Sequence, residues 1–193
     1  MLGGAFNPPH IGHLLLAREA MRRMGLEKVM LVPTGKAAHK EIEDEPGAEV
    51  RLRMSVLAAE GEAGVEVSPI EVEREGPSYT YETLEQLYGA DPGRELVLLM
   101  GADVAAGLPQ WERPERVIEL ARLGIAMREG SEPAEVAVVL ESLGAAGRAE
   151  MIDMPRCEVS STMVRERAAA GQPLQGLVSP PVAELIEREG LYR

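Results

Sequence analysis

The sequence predicts an α/β fold, a Rossmann-like doubly wound parallel sheet in a single domain with helices on both faces. Three observations predict it. Short apolar runs alternate with segments of helical period along the whole chain. The run ELVLLM at 95–100 is almost continuously apolar, as a strand buried on both faces must be. Glycines stand where helices should stop: Gly25, Gly61, Gly89, Gly171 and Gly190.

In chain order, strands are expected near 28–33, 65–70, 95–100, 122–127 and 149–154. Helices are expected near 12–24, 48–60, 79–88, 113–121, 133–143, 161–170 and 181–189. The domain spans 1–193, and its last part, from about 160, is helical. Ser179 before Pro180-Pro181 reads as an N-cap with proline in the first turn. The acidic, turn-rich stretch 41–49 (EIEDEPGAE) reads as a solvated loop. One feature departs from the pattern. The first helix should follow a strand of about 5–6 residues, yet only Met1 and Leu2 precede Gly3-Gly4. The strand is a stub, or the native chain starts upstream; the second is the expectation.

The chain has 193 residues, 20 basic and 32 acidic side chains and a formal charge of −12. Hydrophobic residues make up 45%, enough for a buried core, while aromatics are only 3%, so Leu, Val, Ile, Met and Ala must build it. One cysteine, Cys157, excludes a disulfide framework; without a basic partner or metal spacing it reads as inert. No apolar run approaches the ~18 residues of a membrane span, and nothing marks export, so a cytoplasmic protein is the default. The acidic balance argues against nucleic acid and anionic membranes as partners. Residues 1–40 run against that balance. They carry six basic side chains (Arg18, Arg22, Arg23, Lys28, Lys36, Lys40) and two acidic ones (Glu19, Glu27), with every histidine (His10, His13, His39) and every lysine of the chain. A local anion site and a compositional accident both explain this, and charge alone does not choose.

The strongest chemical signal is Gly3-Gly4-Ala5-Phe6-Asn7-Pro8-Pro9-His10-Ile11-Gly12-His13. A glycine pair after a strand lets the backbone approach a ligand closely. The next helix begins near Gly12, so its free N–H groups and positive dipole end point at the same spot. His10 and His13 lie one turn apart and can face one ligand. Together these make a phosphate site. A metal site is the lesser alternative, since only His39 remains as a third imidazole. A packed core role also stays open for His13. The second signal is Ser160-Ser161-Thr162-Met163-Val164-Arg165, which opens a helix after a strand. Ser and Thr there are ordinary N-caps. Arg165, however, shares a face with Ser161 and Thr162, and hydroxyls with a guanidinium form a second phosphate clamp. If both helices start at the same sheet edge, the two clamps can share one polyphosphate.

These two motifs together resemble the nucleotidyltransferase superfamily that shares an HxGH signature, and within it the bacterial nicotinate-nucleotide adenylyltransferases. The resemblance covers nearly the whole chain. Pro33–Lys40 is similar to the family's loop after the second strand, and Ser78-Tyr79-Thr80 with Thr83-Leu84 to its SYT-x-x-TL segment. Gly101-Ala102-Asp103 with Leu108 and Trp111 is similar to its GAD…L…W stretch, Arg128 to its strand-end arginine, and the tail from Gly171 to its C-terminus. Ala5, Asn7, Ala37-Ala38 and Glu112 depart from the family's usual residues.

The resemblance implies adenylyl transfer from ATP to nicotinate mononucleotide, forming deamido-NAD in NAD biosynthesis and releasing pyrophosphate. It implies that Gly3, Gly4, Ala5, Phe6, His10, Gly12, His13, Ser161, Thr162 and Arg165 hold ATP, with His10, His13 and Arg165 catalytic. It implies that Lys40 approaches the acceptor's phosphate and that Thr80, Asp103, Trp111 and Arg128 surround its ribose and ring, Trp111 stacking on the pyridine. Mg²⁺ would ride on the ATP phosphates, and family precedent suggests a homodimer. From the residues alone, Trp111 as a core anchor and Asp103 as a helix cap stay open, and Tyr79 and Tyr81 read as packing residues. The alternatives are transfer to nicotinamide mononucleotide or phosphopantetheine, and a non-catalytic nucleotide sensor on the same fold.

Overall fold

A computed structural model describes residues 1–38 and 42–193. In chain order the elements are β1 (Leu2–Gly4), α1 (Ile11–Met24), β2 (Val29–Pro33), β3 (Lys36–Ala37), α2 (Ala48–Ala59), β4 (Val65–Val67), β5 (Pro77–Ser78) and α3 (Thr80–Ala90). They continue with β6 (Leu96–Gly101), α4 (Ala102–Ala106), α5 (Pro114–Leu120), β7 (Ala121–Met127), α6 (Pro133–Ser142), β8 (Ala149–Asp153), α7 (Ser161–Ala169) and α8 (Pro180–Glu189). Six strands form one sheet in the order β4-β2-β1-β6-β7-β8, and every pairing in it is parallel. The chain winds outward from β1 through β2 to β4, crosses to β6 beside β1, and winds outward the other way. In such sheets the winding direction reverses at a crevice beyond the carboxyl ends of the central strands. Here those strands are β1 and β6.

The strand sequences explain the two layers. Along β6, Leu98 and Met100 face a cluster with Leu84, Leu108, Val117, Leu123 and Ile125. Val97 and Leu99 face the opposite cluster, built on Leu16, Ala17 and Ala20 of α1 with Leu31 and Ile152. Period-two alternation thus loads both faces of one strand. In β7, Gly124 makes room for α1: a Cβ there would lie 2.5 Å from Leu99 Cδ2 and 2.9 Å from Met24 Sδ. A third cluster joins α2, α7 and α8 through Met54, Ala58, Val164, Val182, Leu185 and Ile186. This packing carries the start of α7 to the rim where β1 ends.

The helix and strand segments expected from periodicity are present, with ends shifted by a residue or two. The strand expected at 65–70 stops at Val67, because Pro69 has no N–H to continue a ladder. Gly89 lies inside α3 rather than beyond it. Ser179 holds the N-cap position of α8 with proline behind it, but its hydroxyl donates to the Leu57 carbonyl of α2 at 3.4 Å instead of capping. β1 is a three-residue strand pairing Leu2, Gly3 and Gly4 with Leu31, Val32 and Pro33. The two-residue ladder β3–β5 and the five-residue α4 are too short for any periodicity to reveal. Among the described residues no helix is long and apolar enough to cross a membrane.

Candidate active site

The loop after β1 turns on Phe6, whose φ of +49° is unusual for a bulky residue. Burial of the ring holds it there, 2% exposed, edge-on to His13 with centroids 4.9 Å apart. α1 then starts at Ile11 with His10 as its N-cap. His10 Nδ1 accepts from the Gly12 N–H at 3.1 Å, and His13 Nδ1 accepts from the His10 N–H at 3.1 Å. This is a reciprocal capping box with imidazoles in both roles. It satisfies amides that the sequence left free for a ligand. The Ile11 N–H likewise donates to the Leu177 carbonyl at 2.9 Å, and the His13 N–H to the His10 carbonyl at 3.0 Å. The expectation of open first-turn amides is therefore corrected: the N–H groups of Ile11, Gly12 and His13 are all taken within the chain. A neutral imidazole that accepts at Nδ1 carries its proton at Nε2. Both histidines thus present an Nε2–H, from rings 3.8 Å apart. Gly12 seats the His10 ring, since a Cβ there would lie 3.0 Å from its Cε1 and Nδ1 and 3.5 Å from Cys157 Sγ.

Both rings are neutral at pH 7. Burial, and then the nearby charge of Arg128, push His10 down to about 4. Burial, His10 and Arg128 hold His13 well below the ordinary 6.5. An unfolded chain protonates its histidines near 6.5, whereas the folded one resists. Their contribution to stability is full above that pH and is lost as pH falls from about 6.5 towards 4. Urea unfolding at pH 7.5 and 5.0 should show a loss of about 1–3 kcal/mol beyond that of a His10→Asn variant. Equal losses in the two proteins would show that His10 is not its source.

The second motif lies against the first. Ser160 caps α7, its hydroxyl accepting from the Met163 N–H at 3.1 Å. The Ser161 hydroxyl donates to the Pro8 carbonyl at 2.9 Å, and Arg165 Nη1 donates to the Asn7 carbonyl at 3.1 Å. Thr162 is exposed beside them. Arg165 is 8% exposed. Its remaining donors reach Asp44 Oδ2 at 3.1 Å and Glu43 Oε2 at 3.0 Å. The acidic loop is therefore more than a solvated connector: two of its carboxylates, themselves open to water, sit on the guanidinium. Asn7 ties the same loop down. Its Nδ2 donates to the Glu43 carbonyl at 2.6 Å while its Oδ1 accepts from the Tyr192 hydroxyl at 2.7 Å. An aspartate at position 7 would lack that donor.

Of the other predicted residues, those that follow β1, β6 and β7 leave one edge of the sheet, because these strands run parallel, whereas Thr80 follows β5 of the two-stranded sheet. Gly3 and Gly4 end β1, and Ala5 follows. Asp103 stands in the first turn of α4 and folds back over Gly101, where a Cβ would lie 2.5 Å from its Oδ1. Thr80 opens α3 and is half-buried. Trp111 follows the 3₁₀ turn Leu108–Gln110, half-buried against the cluster around Leu108. It is both anchored and open. Tyr79 and Tyr81 stack at 6.0 Å, and Arg113 lies 5.0 Å over Tyr81. Arg128, exposed at the end of β7, forms no ion pair among the described residues and acts on both histidines through its charge. His39 and Lys40 lie outside the described residues.

A cytidylyltransferase-like family profile matches residues 1–167. A Geobacillus kaustophilus protein named "Probable nicotinate-nucleotide adenylyltransferase" is 38% identical over 192 residues, covering all of this chain and 84% of that protein. The chain belongs to the nicotinate-nucleotide adenylyltransferases of the cytidylyltransferase-like family. A Roseiflexus relative of the same name is 38% identical over 194 residues, with 96% of its own length covered. In the solved structures, the Plasmodium falciparum nicotinic acid mononucleotide adenylyltransferase complexed with NaAD shares the fold, with a TM-score of 0.80 at 15% identity over 99% of this chain and 95% of that one.

Arg51, Tyr192 and the carboxylates of the acidic loop also contact the loop or the arginine of the two motifs in this adenylyltransferase, and no motif in the sequence marks them. A signal for Arg51 existed. Residues 51, 54, 55 and 58 form the buried stripe of α2, so an arginine occupies an apolar face. Glu71 is similar. It is buried, accepts from the Thr83 hydroxyl at 2.8 Å, and burial raises its pKa. No spacing rule marks it.

Proposed function

We propose that this chain transfers the adenylyl group of ATP to nicotinate mononucleotide, releasing pyrophosphate and forming deamido-NAD. The observation that carries this reading is the junction of the two motifs. Arg165 Nη1 donates to the Asn7 carbonyl of the loop that ends in His10, which supports reading the guanidinium and the two imidazoles as parts of one site. The nucleophile is a phosphate oxygen of the mononucleotide. A phosphate monoester has a second pKa of about 6 and is largely ionised at pH 7. It attacks the α-phosphorus in line, the bond from that phosphorus to the bridging oxygen breaks, and pyrophosphate leaves with the electron pair. No protein base is needed and no covalent enzyme intermediate forms.

The barrier is the meeting of two anions, so the protein's work is alignment and charge dispersal. In this reading Gly3, Gly4, Ala5, Phe6 and Gly12 shape the ATP side. His10 and His13 donate through Nε2–H, and Ser161, Thr162 and Arg165 close over the phosphates. The rim donors seek anions, which fits a Mg²⁺ ion that arrives on the triphosphate and keeps its water ligands. When bound, that ion neutralises charge on the phosphate oxygens. Lys40, Thr80, Asp103, Trp111 and Arg128 serve the acceptor.

Incubation with ATP, Mg²⁺ and nicotinate mononucleotide should release pyrophosphate. Parallel reactions with nicotinamide mononucleotide and phosphopantetheine should be slower at equal concentration. Release with no acceptor but phosphopantetheine would reassign the substrate, and release with none would favour a sensor. Trp111→Ala should raise KM for the mononucleotide about 10-fold, the scale of one lost aromatic stack, with KM for ATP little changed. Equal effects on both substrates would remove Trp111 from the ring pocket.

A further inference from the structure

Arg51 is 0% exposed, on the buried face of α2 among Met54, Ser55 and Ala58. Nε donates to Glu45 Oε1 at 2.7 Å, Nη1 to the Ala5 carbonyl at 2.7 Å, and Nη2 to the Thr34 and Gly35 carbonyls at 2.6 and 3.1 Å. Burying a charge is unfavourable unless it is fully bonded, and an apolar side chain of similar volume would pack α2 without that cost. The position of the fork explains the arginine. The β1–β2 ladder ends at Gly4 and Pro33, with a last bond from the Thr34 N–H to the Gly4 carbonyl at 2.9 Å. Beyond that point the two chains part. One leads to His10, and the other to Lys36 and the loop after it. The carbonyls of Ala5, Thr34 and Gly35 then have no strand partner, and one planar guanidinium spans all three.

Gly35 is held from the other side as well. Its N–H donates to the Ser78 hydroxyl oxygen at 3.1 Å. A Cβ at position 35 would collide with the Glu71 carbonyl oxygen, so the turn is seated against the segment that precedes β5. We propose that Arg51 is a positioning residue for adenylyl transfer. It sets the distance between the loop that holds ATP and the loop that leads to the acceptor, at the point where the sheet splits. This rests on the adenylyltransferase reading and adds to it a residue that touches neither substrate.

The test is steady-state kinetics and ATP binding on Arg51→Lys, which keeps the charge but not the fork, beside Glu45→Gln, which leaves the three carbonyl bonds in place. Misplacement by about 1 Å far from the chemistry lowers rates by up to ~10²-fold. Folded Arg51→Lys should lose about 30-fold or more in kcat while its Kd for ATP stays within about 3-fold, and Glu45→Gln should keep kcat within about 3-fold. A folded Arg51→Lys with wild-type kcat, or a Glu45→Gln variant as impaired as Arg51→Lys, would overturn the proposal. If Arg51→Lys does not fold, Ser78→Ala carries the test. It frees the Gly35 N–H with Arg51 intact and should lower kcat about 5-fold without a matching fall in Tm; unchanged kcat overturns the proposal. An inactive wild-type protein would instead strike at the proposed function itself.

Discussion

His10→Ala should lower kcat by ~10²–10³, the scale for removing one preorganised transition-state donor. The variant loses two things at once. The Nε2–H proposed to meet the phosphates disappears, and so does the Nδ1 acceptor that caps the Gly12 N–H. Cap loss alone destabilises by about 1 kcal/mol, which urea unfolding would register without any effect on the rate of the folded fraction. His10→Asn separates the two. Asparagine is among the best N-caps, so stability at pH 7.5 should be near that of the wild type while kcat stays low. A His10→Asn protein with wild-type kcat would show that the ring serves only the helix.

Arg165→Met should lower kcat/KM for ATP by ~10²–10³ with KM for the mononucleotide little changed. Charge-assisted, forked contacts to phosphate are about twice as strong as neutral ones, and one such donor in the transition state is worth ~10²-fold or more. The stability change should be smaller than for a typical buried ion pair. Glu43 and Asp44 are exposed partners and rehydrate when the guanidinium is gone; only the bond to the Asn7 carbonyl is buried. Arg165→Lys should recover part of the loss, because charge survives and the fork does not. Steady-state kinetics with each substrate varied in turn checks both statements. A uniform rise in both KM values would place Arg165 outside the triphosphate site.

Much of this was legible in the sequence because the features are local. β6 announces itself by a nearly continuous apolar run, α1 by its glycine stop at Gly25, and α7 by the serines that open it. The first motif was legible as one local constellation for the same reason, since Gly4, His10 and His13 lie within ten residues. Its chemistry was read only in part. That both rings spend Nδ1 on backbone amides is a fact of geometry, and it turns expected amide donors into imidazole donors. What escaped the sequence is what spans long separations. Arg51 meets Ala5 across 46 residues, Arg165 meets Asn7 across 158, and Tyr192 meets Asn7 across 185. No periodicity encodes such pairs. Composition also misled in one place: a run of Glu and Asp reads as solvated, yet an arginine at the rim recruits two of those carboxylates.

If Arg165 holds ATP as proposed, the triphosphate must take the guanidinium from Glu43 and Asp44. A crystal structure with a non-hydrolysable ATP analogue and Mg²⁺ tests it most directly. Phosphate oxygens should lie within about 3 Å of both His10 Nε2 and the Arg165 guanidinium, with the two carboxylates displaced. A triphosphate that contacts only one of these side chains, with Glu43 and Asp44 still on Arg165, would contradict it.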